Sequence, residues 1–112
     1  MWRKQDRETI KQVREIILGH LENPFSIRQL SRQVGMNECK LKQGFREMYG
    51  MTIFELVRKA RMEKAVWLME TEQLNIGQTA ASVGYSNASN FTAAFRKHYG
   101  CNPSEYVKQH LS

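Results

Sequence analysis

The segment "FREMYGMTIFELV" at residues 45–57 returns as "FRKHYGCNPSEYV" at residues 95–107, with Phe, Arg, Tyr, Gly, Glu and Val in the same order 50 positions later. Upstream, "SIRQLSRQVGMNECKLKQGFREMYG" (26–50) lies against "NIGQTAASVGYSNASNFTAAFRKHYG" (75–100). Ile27, Gln29, Val34 and Gly35 match Ile76, Gln78, Val83 and Gly84, and the second copy carries one extra residue before Phe95. Within 112 residues, such a repeat leaves room for one supersecondary unit made twice, plus connections. Two copies are too few for a stacked solenoid, which needs about three.

Each unit reads as two short helices and a turn. Ser26 with Gln29, and Asn75 with Gln78, have the spacing of a capping box, in which the first side chain covers a free backbone N–H. Ile27, Leu30 and Val34 then share one helical face, as do Ile76, Ala80 and Val83. Gly35 and Gly84 follow where the chain must stop and reverse, and the small residues Ser31 and Ala80 four positions earlier allow a close helix crossing. A second helix starts after Asn37, and after Ser86 or Asn87. Its expected buried residues are Leu41, Phe45 and Met48 in the first copy, and Phe91, Phe95 and the stem of His98 in the second. Helix, glycine turn, helix is the helix-turn-helix pattern.

Three more helices complete the chain. One spans about residues 6–21, with Ile10, Val13, Ile17 and Leu21 as its stripe, and "NPF" at 23–25 ends it. A long middle helix opens on Thr52 and Glu55 and runs to about Glu70, with Val57, Ala60, Lys64 and Leu68 along one side and Met62, Ala65 and Met69 beside them. The last opens at Asn102–Pro103, proline being tolerated in a first helical turn. The expected fold is all-α, about seven helices: two helix-turn-helix subdomains joined by a long linker helix. The expected divisions are 1–50, 51–70 and 71–112.

Charge then points to a partner. The net charge of +6 suits a polyanion. Residues 26–50 hold five basic side chains against two acidic, and residues 75–112 three against one, whereas residues 51–74 hold four of each. The surplus therefore lies in the repeated units. On a helical wheel the first unit's second helix turns Cys39, Lys42, Gln43 and Arg46 away from its core, with Glu38 at the leading edge. Gln can bond an adenine edge, and Arg or Lys can bond guanine O6 and N7, so this stripe suits a DNA major groove. The matching stripe of the second unit is Ser89, Thr92, Ala93 and Arg96, with Ala88 at its edge. It is poorer in long polar side chains, so the first reader is expected to specify sequence and the second to position the protein on phosphates. Asn37, Lys40, Asn87, Asn90 and Lys97 are the expected phosphate contacts. A middle helix of about 18 residues measures roughly 27 Å, of the order of the ~34 Å turn that separates successive major grooves on one face of a duplex.

These residues bear a family resemblance. "AASVGYSNASNFTAAFRKHYGCNPSEYV" and, in the middle helix, "RKARMEKAVWLM" with Arg61, Ala65 and Leu68 are similar to the signature and linker helix of the AraC/XylS family of bacterial transcription regulators. The resemblance covers roughly residues 8–110. It implies two helix-turn-helix units on one linker helix, double-stranded DNA as partner, and regulation of transcription, commonly activation with contact to RNA polymerase. It also implies base-facing roles for Cys39, Lys42, Gln43, Ser89, Thr92 and Ala93, and edge or phosphate contacts for Arg46 and Arg96. Because family members usually carry a sensor or dimerisation domain before this module, the chain is expected to be part of a longer regulator. The isolated domain is expected to be monomeric and its parent able to dimerise.

Other classes have less support. No HExxH, phosphate-binding glycine loop or nucleophile elbow occurs, so no enzymatic activity is expected. Cys39 and Cys101 make no CxxC motif, and His20, His98 and His110 lack metal-ligand spacing, so neither a metal nor a cofactor is expected. No apolar run approaches the ~20 residues of a membrane span. With a charged N-terminus unlike a secretory signal, the expected location is the cytoplasm. The alternative is a protein–protein interaction module of a larger regulator, with weak DNA affinity.

Overall fold

A computed structural model describes residues 2–110. Among these it contains seven helices and no strand: α1 (Lys4–Leu18), α2 (Ile27–Val34), α3 (Glu38–Tyr49), α4 (Ile53–Thr71), α5 (Ile76–Ser82), α6 (Ala88–Tyr99) and α7 (Pro103–His110). The expected all-α architecture is borne out. Local chemistry sets most of the boundaries. Ser26 Oγ accepts the Gln29 N–H at 3.1 Å while Gln29 Oε1 accepts the Ser26 N–H at 2.9 Å. Asn75 and Gln78 repeat the exchange at 2.8 and 3.0 Å, and Thr52 and Glu55 at 3.0 and 3.2 Å. Each box satisfies two backbone donors that a helix start leaves open.

The turn inside each unit closes on the expected glycine. Gly35 has φ 69° and Gly84 has φ 94°, conformations that glycine adopts without a Cβ clash. The next N–H returns to the preceding helix: Met36 to the Ser31 carbonyl at 3.2 Å, and Tyr85 to the Ala80 carbonyl at 3.0 Å. Ser31 adds a hydroxyl bond to the Met36 carbonyl, so its side chain braces the turn.

Two cores form. The first unit runs through Val57 and the second begins at Arg58. Ile10, Val13, Ile17, Leu30, Leu41, Phe45, Ile53 and Leu56 are buried in the first. Met62, Ala65, Leu68, Met69, Ala80, Val83, Phe91 and Phe95 are buried in the second. Helix α4 therefore serves both; of the residues read along it, Met62, Ala65, Leu68 and Met69 are buried in the second core. Lys64 is exposed, and Val57 and Ala60 are half-buried.

Two expectations need correction. The first helix ends at Leu18, not near residue 21: the Gly19 N–H closes the last turn on the Glu15 carbonyl at 3.1 Å. Leu21 is nevertheless buried; an apolar residue in register can reach the core from a turn. In the second unit His98 is exposed, and Tyr99 packs on the core instead. Its ring centroid lies 4.6 Å from that of Phe95 and 5.2 Å from that of Tyr106, so an aromatic cluster fills the space a histidine stem would take. Thr79, absent from the expected core, is fully buried, and its hydroxyl donates to the Asn75 carbonyl at 2.8 Å.

Burial raises the Tyr99 phenol above its ordinary 10.0, and the neighbouring Tyr106 and Glu63 push it the same way. The folded state thus holds its proton more tightly than the unfolded chain does. The resulting stabilisation is complete below pH 10 and is lost as pH rises through the higher folded value. Tyr99→Phe is expected to flatten this decline in urea melts taken from about pH 8 to 11. An identical pH slope in the variant would show that Tyr99 is not its source.

Candidate nucleic-acid interface

Helix α3 is built to leave one face free. Asn37 precedes it and its Oδ1 accepts the Lys40 N–H at 2.8 Å, which satisfies a start-of-helix donor and sets where the helix begins. Leu41, Gly44 and Phe45 then face the core. Phe45 stacks at a tilt on Tyr49, with centroids 4.9 Å apart. With that face committed, Glu38, Cys39, Lys42, Gln43 and Arg46 are all exposed. Cys39, Lys42, Gln43 and Arg46, spaced i, i+3, i+4 and i+7, make one continuous stripe with Glu38 at its leading edge.

Helix α6 repeats the scaffold. Asn87 Oδ1 accepts the Asn90 N–H at 2.8 Å, and the Asn90 amide donates to Ser86 Oγ at 3.1 Å. Phe91 and Phe95 are fully buried. Ala88, Ser89, Ala93 and Arg96 are exposed and Thr92 is half-buried. These five residues and Lys97 line one shallow depression. Asn37 and Asn87 thus use the side-chain oxygen in the same way, each capping the start of its helix. The scaffold is duplicated while the chemistry of the stripes differs: long amide and cationic side chains on α3, and mostly hydroxyl and methyl groups on α6.

Lys40 is placed differently from the other expected phosphate contacts. It is half-buried, with Nζ 3.2 Å from Asp6 Oδ1 and 6.0 Å from the centre of the Trp2 ring. The Asp6 carboxyl is held below its usual range, first by the Arg3 backbone N–H and then by Lys40, against some desolvation. The Trp2 indole N–H donates to Glu47, and Trp2, Lys40, Gln43 and Glu47 border a common cleft. Trp2, Asp6 and Gly44 were not among the site residues expected from sequence. For Gly44 a signal existed, because a glycine inside a helical pattern marks close approach of another chain segment. A Cβ there would collide with Ile10 Cδ1 and stand 3.2 Å from Trp2. For Trp2 and Asp6 there was none.

Cys39 is exposed and Cys101 half-buried, both as free thiols. Among the described residues no group of three or more His, Cys, Asp or Glu side chains is placed to hold a metal ion. Among them, too, no helix is long and apolar enough to cross a membrane.

A family model described as a helix-turn-helix domain matches residues 30–109. The chain is 33% identical over 93 residues to the HTH-type transcriptional regulator AlkR of Acinetobacter baylyi, covering 83% of this chain and 30% of that protein. It is 32% identical over 94 residues to the RCS-specific HTH-type transcriptional activator RclR of Escherichia coli, covering 81% and 33%. Among solved structures, a transcriptional regulator from Chromobacterium violaceum described as AraC-type DNA-binding shares the fold with a TM-score of 0.83, at 20% identity, over 96% of each chain. The chain spans about a third of the length of the curated relatives it matches. With the duplicated helix-turn-helix units, these matches establish that the chain belongs to the AraC family of helix-turn-helix DNA-binding transcription regulators.

Proposed function

We propose that this domain binds double-stranded DNA sequence-specifically, inserting α3 and α6 into successive major grooves of one duplex, and thereby activates transcription with RNA polymerase as a partner. The observation that carries the reading is the paired stripe: two helices on the same capped scaffold, each presenting polar or basic side chains outward where the chain's positive charge is concentrated. Lys42, Gln43 and Arg46 supply the donors and acceptors for base edges on the first reader. Glu38 can accept from a cytosine amine, and Cys39 offers a small contact. On the second, Arg96 alone has a long cationic head, while Ala88, Ser89, Thr92 and Ala93 offer hydroxyl and methyl contacts. Asn37, Asn87, Asn90 and Lys97 flank the stripes as phosphate donors, which position rather than specify. Binding and positioning are the whole chemistry of such a site, and no catalytic step is assigned to it.

The test is selection from a random duplex library at about 100–150 mM salt, where sequence-independent phosphate binding is already weakened. Two enriched blocks about one helical turn (roughly 34 Å) apart are expected. Gln43→Ala should erase preference at one base position at a cost of about 1–3 kcal/mol, whereas Ala93→Ser should leave the second block nearly unchanged. A larger shift from position 93 than from position 43 would reverse the assignment of readers. Affinity that barely responds between about 50 and 200 mM salt would instead indicate a protein partner.

A further inference from the structure

We propose that Asp6 is an affinity-determining residue: together with Trp2 it holds Lys40, a cation of the first reading helix, away from DNA phosphate. The inference rests on the DNA-binding reading of α3. Lys40 Nζ is 3.2 Å from Asp6 Oδ1, and that carboxylate is itself fixed, since its other oxygen accepts the Arg3 backbone N–H at 3.2 Å. Asp6 therefore cannot follow the ammonium outward. The Trp2 ring adds a second hold at 6.0 Å, within the range of a cation–π contact. Trp2 is anchored in turn, through its indole bond to Glu47 and through the space left by Gly44.

The position of this clip gives it a consequence. Asp6 and Lys40 share a cleft with Gly35 and Asn37, at the turn between α2 and α3 and the start of the reading helix. A phosphate arriving there meets a carboxylate and must compete with it for Lys40. The ion pair is half-exposed, with side chains 43% and 16% accessible, so it is open to competition. The second unit has no equivalent: Asn90 occupies the corresponding position, is neutral, and bonds Ser86. Withholding one cation lowers the sequence-independent part of the affinity and leaves the base contacts of Gln43 and Arg46 untouched, which raises discrimination between sites.

The experiment is a double-mutant cycle on binding to a duplex of arbitrary sequence, with salt titrations and melting curves for each protein. Asp6→Asn keeps an acceptor for the Arg3 N–H and removes the charge. It is expected to tighten binding about fivefold at low salt and to steepen the dependence of log K on log salt by about 0.9, one additional phosphate neutralised. In a Lys40→Ala background the same change should do almost nothing. Equal tightening in both backgrounds would make Asp6 a simple repulsive charge and overturn the inference, as would no tightening at all in a protein that binds DNA normally. A wild-type domain that binds no duplex even at about 20 mM salt would remove the DNA-binding reading itself, and this inference with it.

Discussion

Phe95→Ala is expected to melt the second unit while the first remains folded. Phe95 is fully buried, with ring centroids 5.7 Å from Phe91, 4.6 Å from Tyr99 and 5.5 Å from Tyr106. Truncation removes the ring at the centre of that cluster, at a cost of about 3–5 kcal/mol. A unit of some 55 residues has a total stability of only roughly 3–8 kcal/mol. The loss therefore consumes most of it. The first core, built on Ile10, Leu30, Leu41 and Phe45, shares no buried residue with the second. Circular dichroism at 25 °C should accordingly show about half the helical signal lost, and the near-ultraviolet signal of Tyr85, Tyr99 and Tyr106 lost with it. DNA selection should then return the α3 block alone. Complete unfolding in one transition would mean that the two cores melt as one cooperative body.

Gly44→Val should separate α1 from α3 and disable the first reader. The added branches would enter the space of Ile10, which is fully buried, and of the Trp2 ring. Overpacking of this kind costs about 1–3 kcal/mol, and a β-branched residue gains less helix propensity over glycine than alanine does. Gly44→Ala is the informative control. It gains about 1 kcal/mol of helix propensity but its single methyl meets the end of Ile10 and stands 3.2 Å from the Trp2 ring, so the two effects oppose and nearly cancel. The expected order of melting temperature is wild type and alanine close together, valine well below. The valine variant should also lose preference at the α3 block and keep it at the α6 block. A valine variant as stable as wild type would show that α1 and α3 have slack at this crossing.

Much of the architecture could be read from consecutive residues. Seven helices, their capping boxes at Ser26, Thr52 and Asn75, and the glycine turns at Gly35 and Gly84 are local properties, set by hydrogen bonds spanning three to five positions. The exposed stripe Cys39, Lys42, Gln43 and Arg46 followed from the same periodicity, because a helix that buries Leu41 and Phe45 must turn those residues outward. Where periodicity alone was used, it ran too far. It carried the first helix to Leu21 and placed His98 in a space that Tyr99 fills.

What sequence determined by itself was the repeat, the helices and the direction in which the stripes of α3 and α6 point, the last two encoded within a few residues of one another. Tertiary structure alone decided which outward cation is already engaged. Lys40 and Lys42 both read from sequence as cations of α3 available to a partner, yet Lys40 is paired with Asp6 and lies over the Trp2 ring while Lys42 is exposed. Ion pairing depends on distance through space, and a contact between residues 34 to 38 positions apart leaves no periodic trace in the chain.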